Sequence, residues 1–468
     1  MENKKISLIL FFIFLIFYSV QIPLHTSKPD IIVFAIRALS KTPILNYAYL
    51  APNTLLEGTA LPNYHLGHTL ILWLVYHLAP ANLANTIWLS GFVSAISGAL
   101  IVTLTFLIWQ SLGIDKKKSL VIAIVTGLIP SIWEESIIGE VYALQLLFIL
   151  LFLYAFLKDK ILLSIFAFTF ANLVSPLSAL SFGLLLLKPI TKENIKKIFI
   201  IGSISLLIYS IIYYLIGSNL LDLFSPLSEE QKGRGIPYRA VTLVIFIFIN
   251  FNFFIFYLYK GIRETFKFEK EKLSRLAIAT LPQLILIFLG STFFIELGSF
   301  QLPVFWALAF PLGYYLAKIN YKNIYFVSSV TGLVILTYVF WIIPNTTIGS
   351  AREEAGKWLR ANGYENLCLI GAWDPGITVL YGRNGFDLTA LNEYYFDEPT
   401  PNEEKIEETN MDSILIVNQK KIPLRVLLSK LKIKGLNIKK YNPNKEIHTG
   451  EITKLYENDA VQLYKWKK

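Results

Sequence analysis

Three glutamates, Glu134, Glu135 and Glu140, stand close together in "WEESIIGEVYAL", and the chain on either side of them is strongly apolar. An ionised carboxylate at membrane depth costs several kcal/mol unless water, a partner or a substrate compensates it. Such a group can take a proton from a hydroxyl or line a polar cavity. Glu140 can also be read as a helix N-terminal acid favoured by the dipole. Glu134 and Glu135 can be read as solvated, or as contacts to substrate or to a divalent metal. His65 and His68, three apart in "YHLGHTLILWLVYHLAP", share a helix face. They can hydrogen-bond a phosphate or a carboxylate; the polar edge of an amphipathic helix and a metal pair are the alternatives. Lys232, Arg234 and Arg239 are cations of an outer loop, suited to a lipid phosphate or to solvent and headgroups. Asp30 in "SKPDIIVF" and Glu57 in "LLEGTALP" are acids of the first outer loop. Asp30 also suits a helix cap, and Glu57 suits a solvated loop.

The elements that must position these residues are helices. The chain has 468 residues, 54% of them hydrophobic and only 16% charged, and its mean hydropathy is +0.53. Apolar runs recur from residue 6 to residue 343, which makes this a polytopic membrane protein. Eleven spans are predicted, at about 6–23, 84–112, 119–133, 141–157, 161–175, 177–188, 197–217, 239–260, 276–295, 301–317 and 323–343. With the N-terminus inside, the inner segments collect nineteen Lys/Arg and the outer loops six, as positive-inside topology requires. The net charge of +10 therefore belongs to loops facing the bilayer surface, and nucleic acid is not expected as a partner. Reading 64–80 as a further span would invert that bias downstream, so it is placed as a helix in the outer interface. Residues 177–188 form a tight hairpin or re-entrant pair with the preceding span. Glu134, Glu135 and Glu140 then fall at the outer mouth of the third and fourth spans, in reach of water.

The first outer loop covers 24–83, and the tail from 344 forms a small extracytoplasmic α/β domain. In it "AREEAGKWLRAN" and "PLRVLLSKLK" read as helices, and "NLCLIG", "SILIVN" and "AVQLYKW" as strands. Asn345-Thr346-Thr347 fits a glycosylation sequon. The single cysteine, Cys368, allows no intramolecular disulfide. No internal repeat, Walker loop, metal-type Cys/His cluster or GxSxG motif occurs.

On these features the chain resembles the GT-C superfamily of membrane glycosyltransferases. "WEESIIGEVYAL" is similar to the Trp…Glu-Val-Tyr-Ala-Leu signature of its protein O-mannosyltransferase-like family. "PNYHLGHTLILWLVYHLAP", "NTIWLSGFVSAISGAL" and "FANLVSPLSAL" resemble further segments of that family. The motifs cover roughly residues 1–190, and the likeness continues to 343 as architecture. The family's Asp-Ser-Gly-Glu is absent, since Asp30 is followed by neither Gly nor Glu, and its Pro-Pro pair is replaced by Tyr64-His65-Leu66-Gly67-His68. The resemblance implies transfer of a hexose, mannose in that family, from a polyprenyl-phosphate donor to a protein or glycolipid acceptor at the outer face. It implies Asp30 as the base, with Glu57 as the alternative, and Glu140 beside it lining the cavity. No cofactor is assigned, with a divalent metal left open. A lipid-linked saccharide flippase or polymerase and a non-catalytic glycan-assembly subunit are the competing readings. Mid-span charges are nearly absent, which disfavours the flippase.

Overall fold

The structure, a computed structural model, describes residues 2–25, 31, 34, 38, 65–79, 83–215, 236–289, 297–319, 324–364, 368–371, 394–396, 413–418, 447–448 and 450–467. It divides into two compact units. One is Met1–Ile22, Tyr64–Ile71 and Ser90–Thr337; the other is Pro23–Asn63, Leu72–Leu89 and Tyr338–Lys468.

The first unit is helical. In chain order its helices are α1 (Glu2–Ser19), the start of α2 (Leu66–Leu78), most of α3 (Leu83–Ser111), α4 (Lys116–Leu128), α5 (Pro130–Glu135), α6 (Val141–Leu157), α7 (Ile161–Val174) and α8 (Lys192–Leu215). They continue with α9 (Ile236–Phe251), α10 (Ile255–Phe268), α11 (Lys270–Leu289), α12 (Leu297–Phe300), α13 (Leu302–Leu316) and α14 (Ile324–Thr337). Among the described residues three helical stretches are long and apolar enough to cross a bilayer: Asn85–Ser111, Lys192–Leu215 and Leu243–Phe268. This is a membrane protein.

Helix α6, "VYALQLLFILLFLYAFL", has no charge and is buried on almost every face, as a helix apolar all round must be. It turns into α7 at Asp159, whose φ of 56° is a left-handed conformation that aspartate tolerates. The Asp159 carboxylate accepts hydrogen bonds from Lys188 Nζ and Lys197 Nζ, both at 2.8 Å, and these hold it below the usual carboxylate range. At the start of α4, Asp115 accepts from the Lys118 backbone N–H at 3.0 Å, an N-cap. Trp109 of α3 stacks on Phe310 of α13 at 4.1 Å, and Trp306 Nε1 donates to Thr105 Oγ1 at 2.9 Å. The indole N–H of Trp306 is thus satisfied where water is excluded.

Two predicted spans differ in form. The third, 119–133, is broken: α4 stops at Leu128, Ile129 is extended at φ −63° and ψ 123°, and Pro130 opens α5. The residue before a proline is kept out of the helical region, and proline is at home in a first turn. Residues 176–187 wind as one 3₁₀ helix rather than an α-helix, after the extended Ser175.

In the second unit a π-helical turn (Tyr338–Ile342) leads into α15 (Ile343–Ala361). Strands β1 (Cys368–Gly371), β2 (Tyr394–Phe396), β3 (Ser413–Asn418), β4 (Glu451–Glu457) and β5 (Val461–Lys467) form one sheet in the order β2-β1-β3-β5-β4. The β1 pairings are parallel, and β3–β5 and β4–β5 are antiparallel. Ile414, Ile416, Val461 and Leu463 pack under Ala355 and Leu359 of α15. Leu415, Val417, Tyr464 and Trp466 point to the opposite face, where they are buried with Ile447. The sheet therefore buries both faces at its centre, which explains the unbroken apolar run of β3. His25 Nδ1 lies 2.7 Å from Glu353 Oε2, and Lys357 pairs with the same carboxylate. The helix expected at "PLRVLLSKLK" lies outside the described residues. Asn345 falls within α15, not in the surface loop that a sequon favours.

Candidate functional site

Every residue from Pro130 to Leu147 is buried. This α5–turn–α6 segment carries all three glutamates, and its compactness follows from small residues. The turn is tied by Ile137 and Ile138 backbone N–H groups to the Glu134 carbonyl at 3.0 and 3.2 Å. Ser136 Oγ donates to the Ile132 carbonyl at 2.6 Å. Gly139 lies so close to α3 that a Cβ there would stand 2.3 Å from Ser90 Cβ. One turn along α3, Ser94 Oγ faces the Glu140 carbonyl at 3.4 Å. Serine and glycine on that α3 face let the backbones approach as small residues do between membrane helices.

The carboxylates are set differently. Glu140 is the N-cap residue of α6, 4% exposed, and its side chain does not make the capping hydrogen bond. It keeps the favourable field of the helix N-terminus while its carboxylate is not committed to the cap. Glu135, 1% exposed, accepts a 2.5 Å hydrogen bond from Ser299 Oγ, just before α13. Glu134 is buried as well. The solvated reading of Glu134 and Glu135 is therefore corrected. The break at Pro130 turns α5 into the helix packing, where α12 and α13 cover it. Around them Ser131 N–H donates to Asn250 Oδ1 at 2.9 Å, and Trp133 Nε1 donates to Gln21 Oε1 at 3.1 Å. Phe17 lies against the Trp133 ring at 4.8 Å, and Tyr142 meets Phe300 edge-on at 5.4 Å.

The histidines sit where α2 begins, against the end of α7. His65 Nδ1 is 2.7 Å from the Val174 carbonyl oxygen. A carbonyl only accepts, so Nδ1 carries the hydrogen. His68 is fully buried, and burial, with a smaller contribution from His65, pushes its pKa down to about 3. A neutral imidazole there is no cation for a phosphate, and the reading of a polar helix edge fails for His68, whose side chain is buried. The antiparallel α6–α7 pair brings the end of α7, and with it His65, to the level of Glu140.

Asp30, Glu57, Lys232 and Arg234 lie outside the described residues; Arg239 is part of α9 by its backbone. Among the described residues no three of His, Cys, Asp and Glu are grouped to hold a metal ion. Sequence reasoning missed Gln21, Asn250 and Ser299. The trace available was their polarity within apolar surroundings, as in "FIFINFN" and "FIELGSFQLP".

No family model matches the sequence, and no curated protein aligns with it significantly. Solved structures do share its fold. ArnT from Cupriavidus metallidurans superposes with a TM-score of 0.56 at 11% identity, over 99% of this chain and 97% of that one. The Archaeoglobus fulgidus oligosaccharyltransferase AglB, solved with an inhibitory peptide and a dolichol-phosphate, gives a TM-score of 0.52 at 12% identity. That match covers 89% of this chain and 69% of AglB. The same enzyme tethered to an acceptor peptide with an NVT sequon gives 0.52 at 11% identity. The fold of this chain is that of these two proteins.

Proposed function

We propose that the chain is an integral-membrane glycosyltransferase that moves a hexose from a polyprenyl-phosphate donor to a protein or glycolipid acceptor outside the cytoplasm. One observation carries this reading: a wholly buried segment concentrates three carboxylates at the ends of helices, within a scaffold that aligns end to end with a GT-C enzyme. Eleven spans, a cytoplasmic N-terminus and an extracytoplasmic tail domain complete the proposal. The dolichol-phosphate bound by AglB supports a lipid-phosphate class for the donor. Mannose is the sugar that the Glu-Val-Tyr-Ala-Leu signature favours.

In the reaction the acceptor oxygen bonds to the anomeric carbon while the bond from that carbon to the phosphate oxygen breaks. Polyprenyl phosphate leaves already anionic, so charge stabilisation matters more than a strong acid. Lys232, Arg234 and Arg239 are assigned to that phosphate. Asp30 takes the acceptor's proton, and Glu140 lines the donor or acceptor cavity. His65 orients the entry of α2, and Glu57 is the alternative base.

The test uses purified full-length protein with labelled polyprenyl-phosphate hexoses and membrane extract, beside Asp30→Asn and Glu140→Gln. Donor consumption by wild type, lost in Asp30→Asn and reduced in Glu140→Gln, supports the reading. If wild type leaves every donor untouched, the enzyme reading fails and a non-catalytic assembly subunit takes its place. If only Glu140→Gln is dead, the base is misassigned.

A further inference from the structure

A second feature of the helical unit lies away from the glutamates. A groove of about 930 Å³ runs between α10, the end of α13 and α14, walled by Phe253, Phe256, Tyr315, Tyr325 and Ile335, with Lys260 at its edge. Its size is at the upper end for small-molecule sites, roughly 300–1,000 Å³. The floor is fixed, because α10 closes on α13 where Gly261 meets Pro311; a Cβ on Gly261 would stand 2.1 Å from the Pro311 carbonyl oxygen. The walls are exposed aromatic and aliphatic side chains: Phe253, Phe256, Tyr325 and Ile335 are each more than half exposed. They belong to, or face, the apolar stretch Leu243–Phe268 that can cross a bilayer, so the groove opens towards lipid.

Several cations of this unit have carboxylate partners. Lys318 pairs with Glu264, Lys272 with Glu269, Arg275 with Glu271, Lys188 with Asp159 and Lys118 with Asp115. Among the described residues no carboxylate pairs with Lys260, whose Nζ instead sits 4.1 Å above the Phe256 ring. Arg263 and Lys267, one and two turns on, share its helix face and likewise rest on rings, of Tyr259 and Phe268. Lys260 lines this apolar groove near the end of a membrane-crossing helix, and Arg263 and Lys267 extend the same helix face, an arrangement complementary to a lipid phosphate with its chains attached.

We propose that this groove binds an anionic glycerophospholipid, with its phosphate on Lys260 and Arg263 and its acyl chains along Phe253, Phe256 and Ile335. The site does not depend on the sugar-transfer reading. A lipid of this class would wedge between α10 and α14 and fix their separation.

Native mass spectrometry of the full chain in detergent, with equimolar phosphatidylglycerol and phosphatidylcholine, tests it. Phosphatidylglycerol occupancy is expected to exceed phosphatidylcholine, and Lys260→Gln should lower the ratio about fivefold, the effect of one cation near an anionic headgroup. Thr331→Phe, an exposed position lining the groove, fills it without changing charge and should lower occupancy comparably. Lys4→Gln, an exposed cation at the start of α1, should leave the ratio unchanged. Unfolding temperatures measured without added lipid confirm that each variant is folded. Equal occupancy of the two lipids, or equal effects of Lys260→Gln and Lys4→Gln, overturns the site. So does loss in Lys260→Gln with none in Thr331→Phe, because headgroup attraction then acts without the groove.

Discussion

Gly139→Ala isolates how the glutamate segment is held. The backbone there tolerates alanine, so its cost is steric: the new Cβ would stand 2.3 Å from Ser90 Cβ and 3.1 Å from the Ser90 carbonyl carbon. An ordinary carbon–carbon contact needs about 3.5 Å, so turn and helix must part by roughly 1 Å. Overpacking of this kind costs about 1–3 kcal/mol. The same displacement is passed to Glu140, the next residue, and a misplacement of about 1 Å can cost on the order of 100-fold in rate. Ser90→Gly removes the opposing Cβ and alone costs about 0.5–1 kcal/mol for a glycine inside a helix. The double variant should therefore recover part of the loss, with a coupling of roughly 0.5–3 kcal/mol. Thermal unfolding of the four proteins in detergent gives the stability cycle, and donor consumption gives the functional one. Wild-type stability in Gly139→Ala, or strictly additive effects in the double variant, refutes the close approach as the device that holds Glu140.

Ser299→Ala removes the donor to the buried Glu135 carboxylate and should destabilise the helical unit by about 1.5–3 kcal/mol, read by thermal unfolding. At the α6–α7 turn, Asp159→Asn keeps the left-handed conformation and loses only exposed ion pairs, so it should cost no more than about 1 kcal/mol. Asp159→Val adds about 1–2 kcal/mol of backbone strain in the same assay. In the tail, burial raises the Glu353 pKa, but the hydrogen bonds from Lys357 and His25 outweigh it and hold the group below its ordinary 4.5. A depressed carboxylate stabilises the fold above its unfolded pKa and stops doing so as pH falls through the folded value. Acid titration of wild type should therefore show stability falling below about pH 4.5, with a shallower fall in Glu353→Gln, which is already weakened at neutral pH.

The helices were legible because hydropathy alone announces them: a charge-free stretch such as 141–157 has no other stable form in lipid. So was β3, since "SILIVN" is buried on both faces and reads as a continuous apolar run. Strand β4, "EITKLYE", was not, because it is an edge strand with a mostly exposed pattern and little to alternate. The break at Pro130 was legible in principle, as Ile129 precedes a proline, but the apolar run through 119–133 concealed it. Without that break the glutamates were put in water. Their burial could not be read locally, since the hydroxyl that meets Glu135 is 164 residues away. Spacing placed His65 and His68 on one face but not which way it turned; the Val174 carbonyl that meets His65 and the burial of His68 decided that.

That long separation between Glu135 and Ser299 also sets an order of events during synthesis. At about 5–20 residues per second, the hydroxyl emerges roughly 8–30 s after the carboxylate it meets. Asn250, which receives the Ser131 N–H, comes earlier, and α13, which packs on α4 and α5, comes last of the three. The nascent chain must hold the glutamate segment partly uncovered until α13 enters, so its burial is completed only after nearly the whole helical unit has been made. Chains stalled before Leu297 would leave the Glu135 carboxylate without the hydroxyl that meets it, at a cost in free energy that the finished chain does not carry.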